Sequence, residues 1–390
     1  MNRGEIHAWH YAARRPVQLR WDAGKIVSIT PTEQSPPTNV WLAPTLVDLQ
    51  INGFAGVDFQ QDNLTLEELL HATRELRRHG CAKWLLTLIT DAWPRLIARL
   101  RQLRDLRARS PELQQAIPGF HVEGPFLSAE PGFCGAHDPA LMIDPTPAHI
   151  RELRELLPGL ALLLTLAPER PGALDAIREA RSLGIIVSLG HTNATTSQLA
   201  DAVAHGASAF THLGNACPQQ LDRHDNILWR VLNQPALTVS LIPDGIHVSP
   251  DFFRLVHRSP DSDRIYYTTD AMSAAGAPPG RHRLGAVELK VGADGIVRQP
   301  GKTNFAGAAL TPLQGVMKAA EMLGEDWQTA WARFSETPAK FIGHCNATET
   351  LLAPGRAADF CLLHFDSDEA SVSQLNKHRS LQIVVDGERE

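Results

Sequence analysis

The sequence predicts an α/β protein: a TIM-like (β/α)8 barrel joined to a small β-sandwich domain that both chain ends build together. Three observations lead there. Between residues 41 and 271 one theme recurs, a short β-rich apolar run closed by a polar residue and followed by a helical pattern. Eight such runs occur, which suits a closed barrel, and the glycine-rich first turn of a dinucleotide-binding open sheet is missing. The flanks lack the alternation and carry short β-like pieces instead, neither flank being long enough for a core of its own.

In chain order, the first expected strand is the apolar run Trp41–Ile51. A helix over Leu66–His79 follows, opened by the capping-box pair Thr65 and Glu68 and stopped at Gly80. Lys83–Thr90 is the second strand and Pro94–Arg109 the next helix, with proline at its start. Strands over Ile117–Gly124, Ala161–Ala167 and Ile185–Gly190 then alternate with helices over Ala148–Leu157, Leu174–Leu183 and Ser197–His205. Strands over Ala209–Leu213, Leu237–Pro243 and Arg264–Thr269 complete the eight, with helices over Phe252–Val256 and Pro312–Leu323. A Gly-rich segment at 280–302 reads as a hairpin insertion. The expected division is a barrel over 44–343 and a sandwich from 1–43 with 344–390, built on pieces such as Val17–Trp21, Ile26–Thr30, Phe360–His364 and Ile383–Val385.

Composition narrows the function classes. With 390 residues, 43% hydrophobic and 21% charged, and a net charge of −6, the chain is an ordinary globular one. No block of like charge offers a footprint for nucleic acid or anionic membrane. The longest apolar stretch, Leu160–Ala167, falls far short of the roughly 18 residues a membrane helix needs. Small-molecule chemistry is the expectation. The N-terminal residues His7, His10 and Arg14-Arg15 leave no apolar core for a signal peptide, so a cytoplasmic location is expected. Five dispersed cysteines, Cys81, Cys134, Cys217, Cys345 and Cys361, form no CxxC pair and read as free thiols.

In a barrel enzyme the reacting groups sit at the C-terminal ends of the strands. Those ends here are rich in ligands and acid–base groups: Asp48, Gln50 and Asn52 on strand one, His121 and Glu123 on three, His191 on five, His212 on six, Asp244 and His247 after seven, Asp270 on eight. Glu123, His191 and His212 match a His2Glu metal site with a position left open for water. Asp270 follows the apolar run Tyr266–Thr269 and stands where a general base for the attacking water belongs, the alternative being a cap on the next helix. His71, His79, His149, His205 and His257 fall on expected helices and read as ordinary surface or hydrogen-bonded residues.

At these residues the sequence resembles the N-acetylglucosamine-6-phosphate deacetylases of the amidohydrolase superfamily. The resemblance is carried by His121-Val122-Glu123-Gly124-Pro125-Phe126, Gly190-His191-Thr192-Asn193-Ala194-Thr195, Thr211-His212-Leu213, Asp244-Gly245-Ile246-His247-Val248 and Thr269-Asp270-Ala271-Met272, with the terminal Pro354–Phe360 as a sandwich strand. It implies a metal-dependent deacetylase acting on N-acetylglucosamine 6-phosphate, with one divalent ion per subunit, zinc first, on Glu123, His191 and His212. Asp270 would activate water and then protonate the leaving amine. Substrate contacts would map to Ala136 and His137, Asn215 and Ala216, His247, and the turn Phe305-Ala306-Gly307. His137 would orient the acetyl carbonyl or the sugar, unless it is simply an exposed loop residue. Arg223 would hold the 6-phosphate across a homodimer interface, against the alternative of a solvated loop around Asp222-Arg223-His224-Asp225.

The chain departs from wider patterns at two places. Gln50 and Asn52 occupy the His-x-His positions that bind a second metal in many amidohydrolases, and strand four supplies no lysine, so one metal per site is expected. Gly214 and the loop Cys217-Pro218-Gln219-Gln220-Leu221 change the pocket wall, and the segment between Glu123 and His137 is long. The competing readings are an unphosphorylated N-acetyl hexosamine, N-acetylgalactosamine 6-phosphate or another N-acyl amine as substrate. A catalytically silent sugar-binding homologue is a third class. Cys217 lacks an adjacent base and reads as a lining thiol.

Overall fold

The structure is a computed structural model describing residues 2–36, 39–259, 262–301, 305–365 and 378–389. Eight parallel strands line up in chain order: Leu46–Ile51, Cys81–Ile89, Gly119–Glu123, Ala161–Leu166, Ile186–Leu189, Ala207–Phe210, Thr238–Leu241 and Ile265–Tyr267. A bridge between Ile51 and Ala271, with Asn52 N–H donating to the Ala271 carbonyl at 2.7 Å, brings the first strand to the eighth and nearly closes the barrel. Strands three and four approach closely because residue 119 is glycine: a Cβ there would stand 1.9 Å from the Ala161 carbonyl oxygen.

Helices alternate with these strands as the periodicity predicts, and their ends have local causes. Glu68 Oε2 accepts the Thr65 N–H at 2.8 Å and Thr65 Oγ1 accepts the Glu68 N–H at 3.2 Å, closing the expected capping box ahead of Leu66–Arg78. Pro111–Ala116 and Ile227–Leu232 are additional helices, capped by Ser110 and by the Asn226 side chain. The expected strand Trp41–Ile51 is corrected to two: Val40–Pro44 enters a different sheet and Leu46–Ile51 enters the barrel. Both are buried along their whole length, and Thr45 between them is buried too, so no change in exposure marks the switch.

That second sheet has seven strands in the order Glu388–Arg389, His378–Val385, Phe360–Phe365, Val40–Pro44, Gly4–His10, Pro16–Asp22, Lys25–Pro31. Phe360–Phe365 pairs antiparallel with Val40–Pro44, so the two chain ends meet in one ladder. Residues 366–377 of the expected sandwich lie outside the described residues, as does 302 at the end of the expected insertion. The rest of that insertion is an antiparallel sheet, Gly280–Leu284, Val287–Val291 and Val297–Arg298, with Leu284, Leu289, Val291 and Val297 buried in a small core shared with Met272, Ala274 and Ala306.

The backbone clusters into two compact units: Met1–Asp48 with Thr73–Lys83 and Thr311–Glu390, and Leu49–Ala72 with Trp84–Leu310. In the first, Trp327 packs against Trp41, Trp331 and Phe365, and Trp331 Nε1 donates to the Pro44 carbonyl at 2.8 Å. The same unit buries an ion pair, Lys83 Nζ to Asp359 Oδ2 at 3.0 Å, while Asp359 Oδ1 accepts the Asp386 N–H at 2.9 Å. Removing one partner of a buried pair strands the other charge, at a cost of about 3–5 kcal/mol. Lys83→Met is expected to lower stability by that amount in urea unfolding, with part of it recovered by Lys83→Met combined with Asp359→Asn; a loss below about 1 kcal/mol would contradict the pairing.

Inside the barrel, below its mouth, His121 Nδ1 donates to the Leu49 carbonyl at 3.1 Å and Nε2 accepts from Thr165 Oγ1 at 2.8 Å. Thr165, Thr211 and Ser188 continue the chain at 2.8 and 2.6 Å. Burial pushes His121 down to about 4, so it is a neutral strut of the interior. Among the described residues, no helix is long and apolar enough to cross a membrane. All five cysteines are free thiols.

Candidate active site

Four chemistry-bearing residues reach the barrel mouth because each strand ends at or just before them. Glu123 is the last residue of strand three, while His191, His212 and Asp270 lie two or three residues beyond strands five, six and eight. Their backbones turn into the left-handed region, with φ of +51°, +33° and +50°. Non-glycine residues held there cost about 1–3 kcal/mol each and persist where surroundings over-determine them, a pattern concentrated at functional sites. The turn is also why these three strands stop earlier than expected from their apolar runs.

The turns bring Glu123, His191 and His212 together, all buried, with one ligand atom from each within 4.8 Å of the others. His212 Nε2 is 2.9 Å and His191 Nε2 3.3 Å from Glu123 Oε1. Ligand atoms about 2.1 Å from one ion at the tetrahedral angle stand about 3.4 Å apart, so this donor set fits a single divalent cation. His191 Nδ1 donates to the Phe133 carbonyl at 2.9 Å, which fixes the tautomer that leaves Nε2 free to coordinate. The loop carrying that carbonyl comes so close that Gly135, at φ +59°, would place a Cβ 2.9 Å from His191 Cε1.

Electrostatics separates the two carboxylates. Burial works against charge on Glu123, yet His191 and His212 outweigh it and hold its carboxyl well below the usual range. Burial would likewise lower His212, but Glu123 and then Asp270 keep it raised. For Asp270, burial and then the Glu123 charge push the carboxyl up to about 7. Two carboxyl groups with affinities driven apart are suited to different tasks, one holding charge and one trading protons near neutrality.

Asp270 Oδ1 accepts from Asn52 Nδ2 at 2.7 Å and from Gln50 Nε2 at 3.0 Å. Gln50 Nε2 also reaches Glu123 Oε1 at 3.1 Å. These amides therefore turn their N–H sides toward the carboxylates, and no oxygen is offered there to a second metal.

His137 closes the other side. Its Nδ1 accepts the Thr90 N–H at 3.3 Å and lies 2.7 Å from Thr90 Oγ1, so the ring hydrogen sits on Nε2, 3.7 Å from Glu123 Oε2. Burial and the nearby His191 push His137 down to about 3, which keeps it a neutral donor.

A cleft of about 410 Å³ opens above these groups, and Ala136, His137, Asn215, Ala216, His247, Phe305 and Gly307 line it. Every lining residue belongs to the second compact unit. Ala306 is buried and absent from the cleft wall, and Arg223 is exposed on its loop and is not among the lining residues. His247 Nδ1 donates to Asp244 Oδ2 at 2.6 Å, and its ring meets Phe305 edge-on at 5.2 Å. Cys217 lines the cleft with its thiol pushed up by burial.

Sequence reasoning did not single out Thr90, which sets the His137 tautomer, or Glu169, which accepts from the Thr192 hydroxyl and from the Asn193 N–H at 3.0 Å and so ties down the loop after His191. Glu169 stands shortly after strand four, the position at which the other strands present their chemistry, and that was the available signal.

No protein-family model matches the chain. Among curated proteins, the N-acetylglucosamine-6-phosphate deacetylase of Danio rerio is 32% identical over 335 residues, 83% of this chain and 81% of that one. The N-acetylgalactosamine-6-phosphate deacetylase of Escherichia coli O157:H7 is 31% identical over 350 residues, 89% of this chain and 90% of that one. Among solved structures, an N-acetyl-D-glucosamine-6-phosphate deacetylase variant of Mycobacterium smegmatis, in complex with N-acetyl-D-glucosamine-6-phosphate, superposes with a TM-score of 0.82 at 30% identity. That match covers 96% of this chain and 94% of the other.

Proposed function

The chain belongs to the N-acetylglucosamine-6-phosphate deacetylase family, and from that membership and the site geometry we propose that it hydrolyses N-acetylglucosamine 6-phosphate to glucosamine 6-phosphate and acetate. The observation that carries the reading is the buried Glu123–His191–His212 cluster with Asp270, held by two amides, beside it. A second substrate, N-acetylgalactosamine 6-phosphate, is favoured by the Escherichia coli relative, which matches over 89% of this chain.

Glu123, His191 and His212 hold the ion, which supplies Lewis acidity for the acetamide carbonyl and the attacking water. Asp270 takes the water's proton on Oδ2, because Gln50 and Asn52 occupy Oδ1. The same oxygen then delivers the proton to the leaving nitrogen as the C–N bond breaks. His137 Nε2–H donates to the carbonyl oxygen as negative charge builds there, and it needs no reorganisation because Thr90 already fixes its tautomer. Ala136, Asn215, Ala216, His247, Phe305 and Gly307 shape the sugar subsite.

The ion is zinc, one per chain, since His2Glu is a common zinc donor set and Gln50 and Asn52 direct their N–H groups inward. Metal analysis of purified protein is expected to return one tightly bound ion per chain; two would contradict this assignment. The protein works in the cytoplasm, in keeping with five unpaired thiols.

Arg223 holds the 6-phosphate from the neighbouring subunit of a homodimer, in keeping with its exposure and its absence from the lining of its own cleft. Arg223→Ala is expected to raise KM for the phosphorylated sugar about tenfold or more and to leave the unphosphorylated sugar unaffected. Equal effects on both sugars would remove Arg223 from phosphate binding. Mixing Arg223→Ala chains with Asp270→Asn chains is expected to restore activity through dimers in which one site is whole.

A further inference from the structure

The groups assigned so far around the reacting carbonyl are all polar, whereas the acyl chain bonded to that carbonyl is apolar and needs an apolar wall. The cleft lining has two apolar stretches. One contains Leu221 and Leu228, which follow the sugar-subsite residues Asn215 and Ala216 in the segment after strand six. The other is made by Ile89 and Leu284. Ile89 ends strand two in register with Glu123 on strand three, and register partners on adjacent strands present their side chains to the same face of the sheet. Ile89 therefore stands beside a metal ligand. The next residue, Thr90, gives its N–H to His137 Nδ1, so the same strand end also fixes the group assigned to the carbonyl oxygen. Leu284 belongs to the small core around Met272, and Ile89 packs against that core, which joins the two into one apolar wall.

Both residues are held in place by their neighbours. Ile89 N–H donates to Gln60 Oε1 at 3.1 Å. On one side of Leu284 the Arg283 carbonyl accepts from Ser273 Oγ at 2.7 Å, and on the other the Gly285 N–H donates to Asp58 Oδ2 at 2.8 Å. The hairpin insertion thus delivers Leu284 to the cleft on a turn pinned at both flanking residues. A wall fixed in this way cannot retreat from a longer chain without disturbing its packed neighbours. We propose that Ile89 and Leu284 wall the acyl pocket and set its length, making them specificity-determining residues that admit an acetyl group and reject longer N-acyl groups. The inference rests on the N-acyl hydrolase reading of the site and deepens it, since it gives the hairpin insertion a part in choosing the substrate.

The test is the ratio of kcat/KM for the N-acetyl to that for the N-butyryl derivative of glucosamine 6-phosphate, read by release of the common amino-sugar product. Wild type is compared with Ile89→Ala, Leu284→Ala and, on the opposite wall, Leu221→Ala. Wild type is expected to favour the acetyl compound by about tenfold or more, the discrimination a fixed apolar pocket gives against added methylenes. Ile89→Ala and Leu284→Ala are each expected to lower that ratio about tenfold, and Leu221→Ala to hold it within about threefold. General loosening of the site slows both substrates together and leaves the ratio where it was, so the ratio separates a pocket wall from a merely structural residue. Ile89→Val and Leu284→Val, which trim the wall by one carbon each, serve if the alanine variants do not fold, and are expected to lower the ratio about threefold. A wild type indifferent to acyl length, a ratio unchanged by both Ile89 and Leu284 variants, or a ratio lost instead in Leu221→Ala would overturn the proposal. Failure of the underlying reading is distinguishable, because it appears in the wild type as no amino sugar from either compound and takes this proposal with it.

Discussion

Asp270→Asn is expected to bind one divalent ion as the wild type does and to lose about 10²–10⁴-fold in kcat, the usual worth of a positioned acid–base group. The site is built for this separation of effects. Asp270 lies outside the Glu123–His191–His212 cluster, so its replacement leaves the three ligands in place. The asparagine retains the shape but offers no proton acceptor, and Gln50 and Asn52, both presenting N–H groups, keep their neighbour fixed. Metal content by elemental analysis and turnover by acetate release check the two halves separately. Unchanged turnover would remove Asp270 from the chemistry; lost metal would make it a ligand.

The second large effect comes from the cluster itself. Stripping the ion with a chelator is expected to reduce activity to below about one hundredth, with recovery on adding back zinc. Glu123→Gln is expected to be inactive and not rescued at stoichiometric zinc, because it removes the one negative ligand and leaves two buried imidazoles facing a neutral amide. Full activity in chelator-treated protein, with metal shown to be absent, would overturn the role of the cluster.

Much of this site is visible in the sequence for a physical reason. A polar residue at the end of an apolar barrel strand has few places to go except the mouth, so Glu123, His191, His212 and Asp270 stand out against runs such as Leu162–Leu166. What is hidden follows from the same principle. Val40–Pro44 and Leu46–Ile51 are equally buried, so the change of sheet between them shows only as the brief Pro44-Thr45 interruption and not as a change of hydrophobic period. Short helices such as Ile227–Leu232 depend on a single capping contact from Asn226. The hydrogen-bond directions that set the roles of Asn52, Gln50 and Thr90 exist only once strands one, two, three and eight are side by side. His121, which also ends an apolar run, differs from Glu123 by two residues of one strand and is spent in the interior. Arg223 is exposed on its loop, and the phosphate role proposed for it would need a second subunit, which no pattern within one chain reveals.

The most direct test of the central claim is acetate release by zinc-loaded protein, with N-acetylglucosamine 6-phosphate and N-acetylglucosamine compared at equal concentration. Rapid release from the phosphorylated sugar, with a strong preference over the unphosphorylated one, is expected. No acetate from either sugar, from protein shown to carry its metal, would contradict it.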